Sequence, residues 1–341
     1  MPTYTADHAA VRQLKELLAA RPRIAITTHH NPDGDAVGST TGLAGVLRAM
    51  GHQVQVVMPN RPPAHLQWMP GLEDAMYFEE DKERSAAAVA GCELLFVLDL
   101  NRPDRAGGLE QALRDAPVKV LIDHHRDPEP FARVTFSEPA VCATCELVHD
   151  IVLALGEGHR IDRDAATGLY TGLLTDTGSF RFPSTSPHTM RTAGALMERG
   201  VDHAAVHAAI HDAHSADRMR LLGFALHQKM ELLPGVPVAI IGLDRHELDR
   251  FHHRPGDTEG FVNQPLAIAG MRLSVLALER SKEVKLSFRS KGALPVDRFA
   301  RAHFDGGGHA NAAGGRSTEP LPAVLERLRR LLPPFVQEHT A

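Results

Sequence analysis

The tripeptide Asp123-His124-His125 stands at the end of the apolar run Val118-Lys119-Val120-Leu121-Ile122, and three further acidic positions repeat that placement. His29-His30-Asn31-Pro32-Asp33-Gly34-Asp35 follows the strand-like Ile24-Ala25-Ile26-Thr27-Thr28. Asp99 closes Leu94-Leu95-Phe96-Val97-Leu98, and Asp176 follows Gly172-Leu173-Leu174-Thr175. Short apolar runs alternating with helical stretches are the pattern of βαβ units, whose right-handed crossovers make the sheet parallel. In such a sheet the carboxyl ends of the strands share one edge, and ligands bind in the crevice there. Residues distant in sequence are therefore predicted to meet.

An aspartate after a strand is also an ordinary turn former or helix cap, and any one of the four reads equally well that way. All four in α/β order do not. Five carboxylates converging without counter-charge would repel in a partly desolvated crevice, so their convergence predicts bound cations. Carboxylate and imidazole donors without thiolate point to manganese, with magnesium, cobalt or iron as alternatives, and away from structural zinc. A turn containing Pro32 and Gly34 aims Asp33 and Asp35 at adjacent ions, with Asp99 placed to bridge them. Two such ions clamp a phosphoryl oxygen and lower the pKa of an attacking water, so no side-chain nucleophile is required.

The spacing predicts helices over 7–20, 36–50 (closed by Gly51), 81–90, 109–115, 142–155 and 162–174, interleaved with strands at 23–28, 53–58 and before Asp99 and Asp123. Pro183-Ser184-Thr185-Ser186-Pro187 and Leu233-Pro234-Gly235-Val236-Pro237 break the chain. They divide it into an N-terminal domain (1–187), a helical connector (188–233) and a smaller mixed α/β domain (234–341). That last domain has strands at 238–243, 271–279 and 284–288 and a closing helix at 321–332. His203, His207 and His211 share a helix face at a spacing compatible with a metal or with a solvated polar surface.

These motifs resemble the DHH phosphoesterase superfamily. The likeness is carried by His29-Asn31-Pro32-Asp33-Gly34-Asp35 with Gly38-Ser39, by Asp99 followed by Arg105, by Asp123-His124-His125, and by Asp176 in Thr175-Asp176-Thr177-Gly178. Near the far end, Gly306-Gly307-Gly308-His309 followed by Ala312-Ala313-Gly314 is similar to the signature of the DHH-associated domain. The resemblance implies an α/β parallel-sheet DHH domain, a mixed second domain and an active site in the cleft between them. By that likeness His29, Asp33 and Asp99 hold one ion, and Asp35, Asp99, His124 and Asp176 the second. His125 then faces the substrate phosphate, Asp123 supports the histidines, and Arg105 neutralises a phosphate.

In the second domain the resemblance implies substrate contacts from Asn263, Arg289, Ser290, Gly306, Gly307, Gly308 and His309. A glycine run lets backbone N–H groups approach an anion closely, here expected in a loop leading to a helix N-terminus. An arginine fork grips phosphate in two places.

The chain has 341 residues, enough for two cores, and 43% hydrophobic content. Its net charge of −5, from 37 basic and 42 acidic residues, argues against a broad surface for long or duplex nucleic acid but not against a short nucleotide. With no window of 18 uninterrupted apolar residues, no charged-then-apolar leader and only three cysteines, the expectation is a cytoplasmic protein without membrane partners. Cys142-x-x-Cys145 reads as buried helical packing rather than a redox or zinc pair.

The expected chemistry is hydrolysis of short oligoribonucleotides and of adenosine 3',5'-bisphosphate (pAp), with cyclic di-AMP or pApA as the alternative substrates. A nonenzymatic nucleotide-binding scaffold is the rival from another class, and a homodimer stays open.

Overall fold

The computed structural model describes residues 3–339, which form two compact units divided between Ala213 and His214. The first unit contains helices α1 (Ala9–Ala19), α2 (Gly34–Ala49), α3 (Lys82–Ala90), α4 (Glu110–Asp115), α5 (Thr144–Leu155), α6 (Arg163–Asp176), α7 (Pro187–Glu198) and α8 (His203–His211). Its strands are β1 (Ile24–Thr27), β2 (Val54–Met58), β3 (Met76–Tyr77), β4 (Leu94–Leu98), β5 (Lys119–Asp123) and β6 (Val134–Ser137). All strand pairs are parallel, in the order β3-β2-β1-β4-β5-β6.

Strands β1 and β4 are buried along their whole length because both faces of the sheet are covered. Successive side chains alternate between two cores: Ile24, Ile26, Phe96, Leu98 and Ile122 enter one, and Ala25, Leu95, Val97 and Leu121 the other. Each of these side chains larger than alanine contributes roughly 1.5–3 kcal/mol by leaving water. The register then fixes the functional edge. Thr27 pairs with Val97 and Leu98 with Ile122, so the chain one or two residues further on brings His29, Asp99 and Asp123 to the same end.

Helix α2 begins two residues earlier than its periodicity predicts, because the Asp33 side chain accepts the N–H groups of Asp35 and Ala36 and caps it. The predicted metal turn is therefore the helix start itself, with Asp35 in the first turn. Helix α2 lies against α6 across glycines. A Cβ on Gly38 would sit 2.2 Å from the carbonyl oxygen of Gly168, and one on Gly172 would sit 2.2 Å from Cys145 Sγ and 2.8 Å from Asp35 Oδ1.

Three expectations need correction. Asp176 does not follow a strand: Gly172–Thr175 belongs to α6, whose Asp162-capped run ends at Asp176 itself. The helix predicted over 162–174 is present and runs two residues further, so Asp176 reaches the site from a helix end. Secondly, α7 and α8 bury Ala193, Leu196, Val206 and Ile210 in the core of the first unit, whereas Leu221 of the next helix packs in the second. The segment read as a connector is thus shared between the two units. Thirdly, the glycine-histidine motif is not a loop leading to a helix.

The second unit contains α9 (Ala216–Phe224), α10 (Arg245–Arg250), α11 (Val296–His303) and α12 (Leu321–Glu338). Its strands are β7 (Met230–Leu232), β8 (Val238–Leu243), β9 (Leu273–Glu279), β10 (Val284–Ser290), β11 (Gly307–His309) and β12 (Ala312–Ser317). The sheet is mixed, ordered β11-β12-β10-β9-β8-β7, with β8 and β9 parallel and its other pairs antiparallel. Helix α12 buries Leu321, Val324, Leu328, Leu332 and Val336, one apolar stripe at helical spacing. Among the described residues no helix is long and apolar enough to cross a membrane.

Candidate metal centre

Six side chains converge at the carboxyl edge of the first sheet in two triads, each able to offer three donor atoms within 4.8 Å of one another. One is His29, Asp33 and Asp99; the other is Asp35, His124 and Asp176. These are the six residues that the resemblance implies as ligands; Asp99, implied for both ions, falls in the first triad. Asp99 links the triads. Its Oδ2 lies 3.4 Å from His29 Nε2 and its Oδ1 lies 3.6 Å from His124 Nε2. Its backbone is left-handed (φ 58°), a conformation a non-glycine residue holds only when its surroundings dictate it.

The imidazoles are oriented from behind. His29 Nδ1–H donates to the carbonyl of His30 (3.0 Å) and His124 Nδ1–H to that of Val141 (3.2 Å), so in both rings Nε2 faces the carboxylates. His124 Nε2 lies 3.4 Å from Asp176 and 3.8 Å from Asp35. Asp123, fully buried, accepts the N–H of His125 through Oδ2 and its Nδ1–H through Oδ1 at 2.7 Å. Asp99, Asp123 and His125 also form a cluster of metal-ligand type, but the Asp123–His125 contact is a hydrogen bond, which fits a supporting role.

The buried carboxylates and imidazoles shift one another strongly. Burial, then the charge of Asp99, pushes the Asp35 carboxyl up to about 7. Burial and the neighbouring Asp35, Asp33 and Asp99 hold Asp176 well above the usual range. Burial alone would lower His29, but its hydrogen bond with Asp99 and the charges of Asp33 and Asp99 lift it to about 9. His124 is raised against burial by Asp99, Asp35 and Asp123. Asp99 is held low, against burial, by the His29 hydrogen bond and the nearby imidazoles. The donor set of carboxylate oxygens and imidazole nitrogens fits divalent metal.

The sequence reading missed two donors. Asp35 caps α5 from a different helix: its Oδ2 accepts the N–H of Thr144 (2.6 Å) and its Oδ1 that of Cys145 (2.9 Å). Ala143, the residue in the cap position of α5, makes no side-chain hydrogen bond of its own. The Thr144 hydroxyl donates to Asp99 Oδ1 at 2.9 Å. The one available clue was a threonine opening an apolar helix just after the paired histidines.

Cys142 and Cys145 are buried, and burial drives both thiols upward, away from thiolate chemistry. Arg105 sits in the 3-10 segment Pro103–Leu109 that follows Asp99, where its carbonyl accepts the His30 N–H, its guanidinium donates to Asn101, and its charge reaches His29. His203 and His207 meet edge-on with centroids 6.5 Å apart, His207 and His211 lie tilted at 5.8 Å, and His211 Nε2 pairs with the Ser179 hydroxyl. Among the described residues they do not gather as a three-donor group.

In the second unit, Gly307, Gly308 and His309 form strand β11, hairpinned to β12 and preceded by Gly306. The glycines are needed for this pairing. A Cβ on Gly306 would lie 2.0 Å from the Gly314 carbonyl oxygen and one on Gly308, at φ 140°, 2.5 Å from that of Ala312. Arg289, on β10 beside β12, is held by the Phe288 carbonyl, and burial lowers its pKa. The Ser290 hydroxyl donates to Leu294 O and accepts from Asn311. Asn263 lies half-buried in the 3-10 turn Phe261–Ala267.

A model of the DHH family N-terminal domain matches residues 23–173, and one of the DHHA1 domain matches residues 239–337. The bifunctional oligoribonuclease and PAP phosphatase NrnA of Thermus thermophilus is 32% identical over 308 residues, covering 89% of this chain and 87% of that protein. This chain belongs to the DHH family. An exopolyphosphatase-related protein from Bacteroides fragilis, solved by crystallography, superposes with a TM-score of 0.91 at 32% identity, over 95% of this chain and 97% of that one. Exonuclease RecJ bound to manganese shares the fold, with a TM-score of 0.52 at 18% identity over 97% and 96% of the two chains.

Proposed function

We propose that this DHH protein hydrolyses short oligoribonucleotides to mononucleotides and removes a phosphate from pAp, using water activated at the two triads. The reading rests on the convergence of six oxygen and imidazole ligands, with Asp99 facing both triads, in a chain similar along most of its length to an oligoribonuclease and PAP phosphatase. Two divalent ions, manganese by the donor chemistry, would supply positive charge to lower the pKa of a water and stabilise the leaving oxygen. His29, Asp33 and Asp99 would hold one, and Asp35, Asp99, His124 and Asp176 the other.

The chain's own residues do the rest. Asp123 fixes the His125 ring through Nδ1, so His125 meets the substrate phosphate with Nε2. Arg105 adds charge near His29 and helps neutralise that phosphate. We assign the remote end of the substrate to Arg289 and His309, with Asn263, Ser290 and Gly306 to Gly308 shaping that surface. A half-buried guanidinium has already given up part of its hydration, so it loses less on meeting a phosphate than a fully exposed one does.

The test incubates purified protein and manganese with pAp, pApA, short RNAs, cyclic di-AMP and pyrophosphate. Turnover of pAp and short RNAs, abolished by chelator and restored by manganese, is the expected result. Undiminished activity after the metal is verifiably stripped overturns the mechanism, and exclusive turnover of cyclic di-AMP overturns the substrate assignment.

A further inference from the structure

Among the described residues Asp99 is the carboxylate that pairs with a histidine of each triad, and something must keep its two oxygens turned in different directions. Left alone, a carboxylate beside a single cation can chelate it through both oxygens, which would deprive the second triad of its share. Asp99 is only 2% exposed, so solvent does not decide its orientation. Its Oδ2 points at His29 Nε2, and its Oδ1 accepts the hydroxyl of Thr144 at 2.9 Å.

The same residue reaches the other triad through its backbone. Thr144 N–H donates to Asp35 Oδ2 at 2.6 Å, with Cys145 N–H beside it on Oδ1. Thr144 is thus joined to Asp35 on α2 and to Asp99 after β4. Thr144 is fully buried at the first position of α5, a 12-residue helix, so its place is set by the fold and not by a flexible loop.

We propose that the Thr144 hydroxyl is a positioning group that holds Asp99 in the bridging orientation. By donating to Oδ1 it fixes the rotation of the carboxylate, leaving one lone-pair direction of each oxygen for its own triad. The inference rests on reading the centre as a two-ion site. Loss of such an outer hydrogen bond typically weakens metal binding by about 10–100-fold.

The experiment compares the full-length, metal-stripped wild type with Thr144→Val, Thr144→Ser and Thr144→Ala. Manganese binding is counted by the electron paramagnetic resonance signal of the free ion, and spin coupling between bound ions is read in the same samples. Wild type binding two coupled ions tests the two-ion reading on its own; binding of fewer overturns that reading before Thr144 is considered. Given a coupled wild type, Thr144→Val is expected to bind at least one ion about 10–100-fold more weakly and to lose the coupling, with Thr144→Ser restoring both.

Thr144→Ser and Thr144→Ala both lack the methyl group and differ only in the hydroxyl, so this pair decides the matter if the valine variant misfolds. Equal affinity and coupling in the serine and alanine variants would overturn the proposal, as would wild-type coupling in Thr144→Val.

Discussion

Replacing Asp99 with Asn keeps the shape of the side chain and removes its charge, and the structure sets the scale of what should follow. The rise of His29 from 6.5 to about 9 means that the surrounding carboxylates favour one positive charge there by roughly 3 kcal/mol, even after burial has opposed it. Asp33 and Asp99 share that effect. Giving Asp99 about half leaves about 1.5 kcal/mol per unit charge and about 3 kcal/mol for a divalent ion, a loss on the order of 100-fold in affinity. Solvent screening does not reduce this much, since the His29 and Asp99 side chains are only 9% and 3% exposed. Because Asp99 also faces His124, both ions should weaken rather than one.

The assay titrates metal-stripped Asp99→Asn and wild type with manganese and follows pAp turnover at each point. Weak binding of both ions and turnover below about 1% of wild type at the metal concentration that saturates wild type are expected. Two ions bound with wild-type affinity would refute the electrostatic reasoning and the bridging assignment together.

Asp35, Asp176, His29 and His124 all titrate above their ordinary values, so the metal-free fold holds more protons than the unfolded chain between about pH 5 and 9. Its melting temperature should fall across that range and recover on adding manganese, while manganese affinity rises with pH; a metal-free melting temperature that rises instead would contradict the assignment. Gly172→Ala should weaken manganese binding at least tenfold and cost about 1–3 kcal/mol of stability, because the new methyl would overlap Cys145 and Asp35; a titration that overlays wild type would show that the helices give way freely. Arg289→Ala and His309→Ala should leave manganese binding intact and reduce kcat/KM for pAp more than tenfold, about 1.5–3 kcal/mol per lost charge-assisted bond, with little effect on a small generic phosphodiester. Equal losses on both substrates would place those residues in the fold rather than in nucleotide binding.

The strand-end aspartates were legible because a buried parallel strand has a short, uninterrupted apolar code and a sharp polar stop, as at Leu98-Asp99 and Ile122-Asp123. Asp176 joins them from the end of α6, the helix that the spacing predicts over 162–174, and not from a strand end. Thr144 escaped because its role exists only across 45 positions of sequence, where a hydroxyl finds Asp99. The Gly306–His309 motif was visible as a motif. Its conformation was not, because strand pairing with Ala312–Gly314 depends on backbone approach and leaves little trace in polarity.

The glycine contact between α2 and α6 bears on how such a centre can change over time. Asp35 and Asp176 belong to helices whose separation is fixed by hydrogen atoms where other residues would carry carbon. The smallest available alteration at Gly38 or Gly172 is a whole methyl group, which demands more room than the backbone leaves. Ligand spacing therefore has no fine adjustment along this contact: the helices stay at their closest approach or move apart in one step. Accommodation of a larger or smaller ion must come from rotation of the carboxylates and from the donors that steer them, with the scaffold acting as a fixed gauge.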